Sequence, residues 1–294
     1  MSTLTAGGDL SVEQPGPRRG GLVRWRLTGA RWAGWSAVGL VAALTLVALL
    51  APLLAPHSPI QPSGAPYQPV GSSGHLFGTD NIGRDIFSRV VLGIRTSWLM
   101  ALVVVAVGLL IGGAVGVVAG ALGGWIDSAL MRITDMFLAL PATLVAVAVA
   151  AAMGDGLFNT FLAITVVWWP YYARIVRGEI RSLAARPHVE AARMAGAGRL
   201  RIMRTHLLPG IYPTALVTAS LDVGAVVTTL ASLSFIGLGQ SAPAPELGAD
   251  TSRGMPELLA HWWIPVLPGL AVLLLSLVAN LTGDAVRNLL PGRK

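Results

Sequence analysis

Residues 97–120 read SWLMALVVVAVGLLIGGAVGVVAG, a run without one charged side chain. Lipid offers no partners to backbone N–H and C=O groups, so such a run crosses a bilayer as a helix, which takes about 20 residues. Working outward, five more windows of the same character lie at 33–55, 129–153, 157–176, 211–235 and 262–281. The expected class is all-α, a polytopic membrane protein with six transmembrane helices. The composition agrees: 54% of residues are hydrophobic and 12% charged, with mean hydropathy +0.67, whereas a soluble domain carries about 25% charged residues. Gly (35) and Pro (19) are plentiful, yet neither a collagen period nor a polar low-complexity tract accompanies them, which excludes fibrous and disordered classes.

The net charge of +7 would suggest nucleic-acid binding in a soluble protein; here its placement matters more. With the N-terminus inside, 17 of the 21 Lys and Arg residues fall on that side, and basic residues are retained in the cytoplasm during insertion. Both termini are therefore expected to be cytoplasmic. The chain divides into a disordered cytoplasmic tail at 1–32, an uncleaved first span at 33–55, an extracytoplasmic segment at 56–96, and a core at 97–291 holding five spans and a cytoplasmic loop at 177–210. Within the third window Arg132 and Asp135 stand three residues apart and are expected to pair on one helix face. The nine Trp residues mostly sit near window ends, where aromatic belts form.

Gly108, Gly112, Gly116, Gly120 and Gly124 recur every four residues. They leave a groove along one helix face that admits another helix closely, and the slow winding of the stripe favours a crossed neighbour. Asp222 lies mid-window, where a charge is expensive. It reads either as a pathway-lining or gating residue or as a carboxyl partnered by a neighbouring helix. Ser234, farther along the same window, is the second pathway candidate.

Catalytic and metal signatures are missing. The five His residues have no H-E-x-x-H spacing, 71–74 is not G-x-S-x-G, and 80–85 lacks the alternating ligands and later Glu of a calcium loop. The absence of Cys removes disulfides, thiolate metal sites and thiol nucleophiles. The only Lys is Lys294, so the chain has no G-x-x-x-x-G-K-[ST] phosphate loop. No metal, cofactor or enzyme activity is expected in this chain. Any ATP-driven process would need an ATPase supplied by another chain.

The large inside loop contains Glu190-Ala191-Ala192-Arg193-Met194-Ala195-Gly196, followed by Leu208-Pro209. Ala191, Ala192 and Ala195 make a slim helix face, Glu190 and Arg193 flank it with charge, and Gly196 can take the left-handed conformation that ends a helix. Such a helix suits docking into a protein groove or lying on a membrane surface.

These residues resemble the E-A-A-x-x-x-G…L-P signature of ABC importer permeases. More specifically, the chain is similar to the C-type permease subunit of dipeptide and oligopeptide importers. The likeness runs from about His75 to Pro291. It includes His75-Leu76-Phe77-Gly78-Thr79-Asp80 with Gly83-Arg84-Asp85, Gly123-Gly124-Trp125 with Arg132, Asp135 and Pro141, Leu233-Ser234-Phe235-Ile236-Gly237-Leu238-Gly239, and Asn280, Gly283, Asp284 and Arg287. His206 stands where the family's usual Ile precedes Leu-Pro, and Leu230 where relatives often carry Glu.

The resemblance implies a type I importer fold in the bacterial plasma membrane. It also implies partnership with a homologous B-type permease, one or two ATPase subunits holding ATP and Mg, and an extracytoplasmic substrate-binding protein. The helix at 187–197 would carry ATPase movement into the bundle: Glu190 and Arg193 at the contact, Ala191 and Ala192 permitting close approach, Gly196 turning the chain, Leu208 and Pro209 completing the signature. Peptide is the leading cargo, with nickel and glutathione as the family's other options. A secondary transporter using Asp135 or Asp222 as its coupling carboxylate, and a membrane scaffold with a recruiting loop, remain as readings from other classes.

Overall fold

A computed structural model describes the backbone over residues 21–289 and side chains over 38–287. Ten α-helices and no strands occur among the described residues; the only β pairings are isolated bridges at Ser72–His75 and Thr79–Asp85. Helix α1 (Gly21–Leu54) is followed by α2 (Ile86–Leu122), α3 (Gly124–Leu138), α4 (Ala142–Met153) and α5 (Leu157–Ala184). Two short helices, α6 (Pro187–Met194) and α7 (Arg199–Ile202), lead through a π-turn at Met203–Leu207 into α8 (Leu208–Phe235). Then come α9 (Leu247–Gly254), a 3₁₀ turn, and α10 (Trp263–Leu289).

Among the described residues three helical runs are long and apolar enough to span a bilayer: α2, the run Arg199–Phe235 and α10. The described part of α1, Val38–Leu54, is apolar but shorter, and α5 carries Arg174, Arg177, Glu179 and Arg181 toward its C-terminal end. Residues 1–20 of the expected tail lie outside the described residues, whereas 21–32 are helical and continuous with the first apolar segment.

The third window departs from expectation. It is not one continuous helix; α3 and α4 meet at an 84° bend around Ala139, Leu140 and Pro141, so any span it makes is broken there. Pro141 has no N–H to continue the ladder, and its ring disfavours helical geometry at the residue before it. The anticipated Arg132–Asp135 pair is not made either, because Asp135 pairs with Arg174 of α5.

One core joins α1, α2, α5, α8 and α10 through residues such as Ala48, Trp98, Ile164, Tyr172, Val226 and Leu275. Trp98 is not a belt residue: it is 1% exposed and its indole N–H donates to Thr45 Oγ1 of α1 at 3.0 Å. The glycine stripe faces α5. A Cβ on Gly108 would touch Tyr172, one on Gly112 would overlap the Trp169 carbonyl oxygen, one on Gly116 would lie 2.6 Å from the Ala173 carbonyl oxygen, and one on Gly120 would lie 2.8 Å from Ile180. From Gly112 to Gly120 each four-residue step along α2 advances the backbone contact by four residues along α5, from Trp169 through Ala173 to Arg177, so the helices run together instead of crossing briefly. Both contacting stripes repeat every four residues and wind in step. Gly124 leaves the stripe; at φ +59° it turns the chain into α3.

At one end of the bundle the segments 55–85 and 236–262 form a cap. Arg89 of α2, 3% exposed, donates to Asp250 of α9 (Nη2–Oδ1 2.5 Å), to the Pro59 carbonyl at 2.6 Å and to the Pro243 carbonyl at 3.1 Å. Tyr67 bonds to Glu257, and the Trp263 indole reaches the Thr79 carbonyl. At the opposite end a second cluster of Val176, Ile180, Leu183, Val189, Ile202, Leu207 and Ile211 seats α6 and α7 on α5 and α8.

Candidate functional site

The sequence places its leading site residues on α6, and the structure shows how that helix is presented. Pro187 occupies the first turn, where its missing N–H costs nothing. Val189 is fully buried in the second cluster and anchors the helix. Glu190, Ala191 and Arg193 point outward, Ala192 is half-buried, and Met194 is 87% exposed. The helix ends in a Schellman motif: Ala197 N–H donates to Ala192 C=O at 3.0 Å, Gly196 N–H donates to Arg193 C=O at 2.9 Å, and Gly196 sits at φ +81°. The exposed face is therefore small, flanked by charge, and rigidly terminated. Sequence reasoning singled out the alanines and missed Met194, although its position one turn after Glu190 was available as a signal.

Leu208 and Pro209 stand apart from that face, opening α8. Pro209 cannot donate to the helical ladder, and immediately before it the backbone widens into the π-turn, with Leu208 N–H reaching the Met203 carbonyl. His206 in this turn approaches His188 of α6, ring centroids 5.8 Å apart. At the same end Asp127 of α3, 4% exposed, is clamped by Arg177 (Nε–Oδ1 2.5 Å) and by Arg181 of α5.

The pathway candidates do not form one site. Asp222 faces Tyr172 across the α5–α8 interface, where its carboxyl interacts with the buried Tyr172 hydroxyl. Ser234, twelve residues later, lies about 18 Å farther along the helix axis. It is 1% exposed, is closed over by Gly239, and interacts with Glu246 at the start of α9. Burial pushes the Glu246 carboxyl above the ordinary glutamate value. Ser234 also borders a cap-side cleft of about 360 Å³ with Asp155, Gln240 and Arg253. Asp135, the other carboxylate considered for ion coupling, is 58% exposed at the opposite end.

Residues 112–293, which include α5 through α10 and the exposed α6 face, match the family described as the binding-protein-dependent transport system inner membrane component. The chain belongs to this family. It is 40% identical over 268 residues to the probable D,D-dipeptide transport system permease protein DdpC of Escherichia coli K12, covering 90% of this chain and 89% of that protein. The nickel transport system permease protein NikC of the same strain is 37% identical over 268 residues, covering 88% and 94%. Among solved structures, the methionine ABC transporter MetNI in an inward-facing conformation superposes with a TM-score of 0.54 at 24% identity, covering 69% of this chain and 96% of that one. That likeness concerns the fold. The apolar bundle is thus the multi-pass membrane component of an ABC importer.

Proposed function

We propose that this chain is the C-type permease subunit of a peptide importer, forming half of the translocation pathway beside a homologous permease. The observation that carries the reading is α6, a buried-root helix with an exposed small-residue face on a chain whose relative DdpC is described as a probable D,D-dipeptide permease. In this scheme α6 docks on an ATPase subunit that binds ATP and Mg, with Glu190 and Arg193 at the rim, Ala191 and Ala192 at the close approach, and Met194 as an apolar anchor. The second cluster passes movement of α6 to α5 and α8 through Val189, Ile202 and Leu207. The cap faces outward, both termini lie in the cytoplasm, and a substrate-binding protein seats on the cap. Asp222 and Ser234 mark two levels of the pathway along α8, with the glycine stripe holding α2 against α5.

Uptake of a radiolabelled dipeptide by cells carrying or lacking this gene tests the cargo. Loss of peptide uptake in the deletion, restored by the gene, is the expected result. Loss of radioactive nickel uptake with peptide uptake intact would replace peptide by nickel, the cargo named for the relative NikC.

A further inference from the structure

Three side chains that lie far apart in sequence converge where the 55–85 segment meets the start of α2. His75 is 5% exposed and its Nδ1 lies 3.0 Å from Asp85 Oδ1. His57 Nδ1 lies 3.8 Å from Asp85 Oδ2, and the two imidazoles lie tilted by 33° at a centroid distance of 4.8 Å. One nitrogen from each ring and one carboxylate oxygen all fall within 4.8 Å of one another. A tetrahedral ion with bonds of about 2.0–2.1 Å holds its ligands about 3.3 Å apart, so small side-chain rotations would complete the set. We propose that His57, His75 and Asp85 form a binding site for a divalent transition metal of the zinc class.

Two unpartnered atoms point the same way. His57 Nδ1 is buried with no hydrogen-bond partner although its backbone is fixed by a 3.2 Å bond from its N–H to Ser88 Oγ. Gln68 Oε1 is also buried and unpartnered, and it and His75 Nε2 flank the same point beside Gly64, 3.0 and 2.5 Å from a Cβ placed there. A neutral imidazole carries one proton. While that proton sits on Nδ1 and bonds to Asp85, Nε2 has nothing to donate. Coordination through Nδ1 moves the proton to Nε2, beside the Gln68 oxygen, with no net proton released. A metal-bound histidine normally donates its second N–H to such an acceptor. One ion thus gives His57 Nδ1 a partner and makes His75 Nε2 a donor on the side where the Gln68 oxygen lies.

The donor set selects the ion class: two imidazoles with one carboxylate suit zinc, cobalt or nickel, whereas magnesium and calcium prefer oxygen alone. Three chain ligands leave one position of a tetrahedron for water, and the partial exposure of His57, 30%, provides the route in. Asp85 keeps its other task. Its Oδ2 caps α2 by accepting from Ser88 N–H at 2.8 Å and Ser88 Oγ at 2.6 Å, so the ion would fasten the cap to the first turn of a core helix. Such a site departs from the expectation that the chain holds no metal, and it does not depend on the cargo.

The test uses the full chain, purified in detergent with any accompanying subunits on a histidine-free tag and stripped with a chelator. Titration with Co²⁺ should give a saturable d–d absorption at one equivalent, displaced by one equivalent of Zn²⁺. His57→Ala should weaken binding at least about tenfold, and Gln68→Leu by about 10–100-fold, the range for losing an outer partner of a metal-bound histidine. Asp85 is left intact because its loss would uncap α2. Absence of stoichiometric Co²⁺ binding by the folded wild-type chain, or equal binding by the folded His57→Ala variant, would overturn the proposal.

Discussion

Gly112 of α2 lies directly against the Trp169 carbonyl oxygen of α5, leaving no room for a side chain. A methyl group there would also press within 2.8 Å of Tyr172 Cβ. Because the neighbour is backbone, the helices themselves must part. Gly112→Ala should therefore destabilise the chain by about 1–3 kcal/mol, the cost of overpacking a close contact. The adjacent Gly113, with open space around it, supplies the control: Gly113→Ala should leave the detergent-solubilised Tm unchanged or slightly raised. Equal effects of the two substitutions would contradict a packing role for the stripe.

Arg89 is the tie between α2 and the cap. Arg89→Met leaves Asp250 with only the longer contact from Arg253 (3.3 Å) and removes donors to the Pro59 and Pro243 carbonyls. Breaking one partner of a buried pair costs about 3–5 kcal/mol. Limited proteolysis should find new cleavage within 55–85 before the helices are cut.

Glu246 gives the cap a pH dependence. Its folded value is raised above the ordinary 4.5 by burial, so its contribution to stability is fully present below 4.5 and declines as pH rises through the folded value. Glu246→Gln should reduce the fall in Tm between pH 5 and pH 7.5 relative to wild type. An identical fall in the variant would show that the folded Glu246 carboxyl is not held above its ordinary value.

Asp222→Asn tests the pathway reading while keeping the shape of the side chain. If Asp222 lines the route, the apparent KM or maximal rate for the transported peptide should change with Tm little affected. A changed Tm with unaltered kinetics would assign Asp222 to its Tyr172 contact alone.

The legible parts of this chain were those set by local pattern. Apolar windows located α2, α8 and α10, and the sequence ending in Gly196 foretold both α6 and its left-handed turn. The break at Pro141 was written in the Leu-Pro pair but was averaged away by reading hydropathy over a whole span. Helix α9 was hidden inside a loop because its cap is a buried Glu246, whose Oε2 accepts from Ala249 N–H at 2.7 Å, in place of the usual Ser, Thr, Asp or Asn. The pairing of Asp135 with Arg174 instead of Arg132 is a tertiary choice between two available cations. Likewise His57, His75 and Asp85 come together only through the path of a loop, which no spacing rule encodes.

The central claim is that α6 couples this permease to an ATPase, and co-purification addresses it most directly. The tagged chain, drawn from its native host in mild detergent, should bring with it a second six-helix permease and one or two ATPases by mass spectrometry. Glu190→Lys, Gly196→Asp and Met194→Asp should each lose the ATPase while retaining the second permease, and should abolish uptake. Recovery of wild-type chain alone, still moving solute along an ion gradient after reconstitution, would contradict the account.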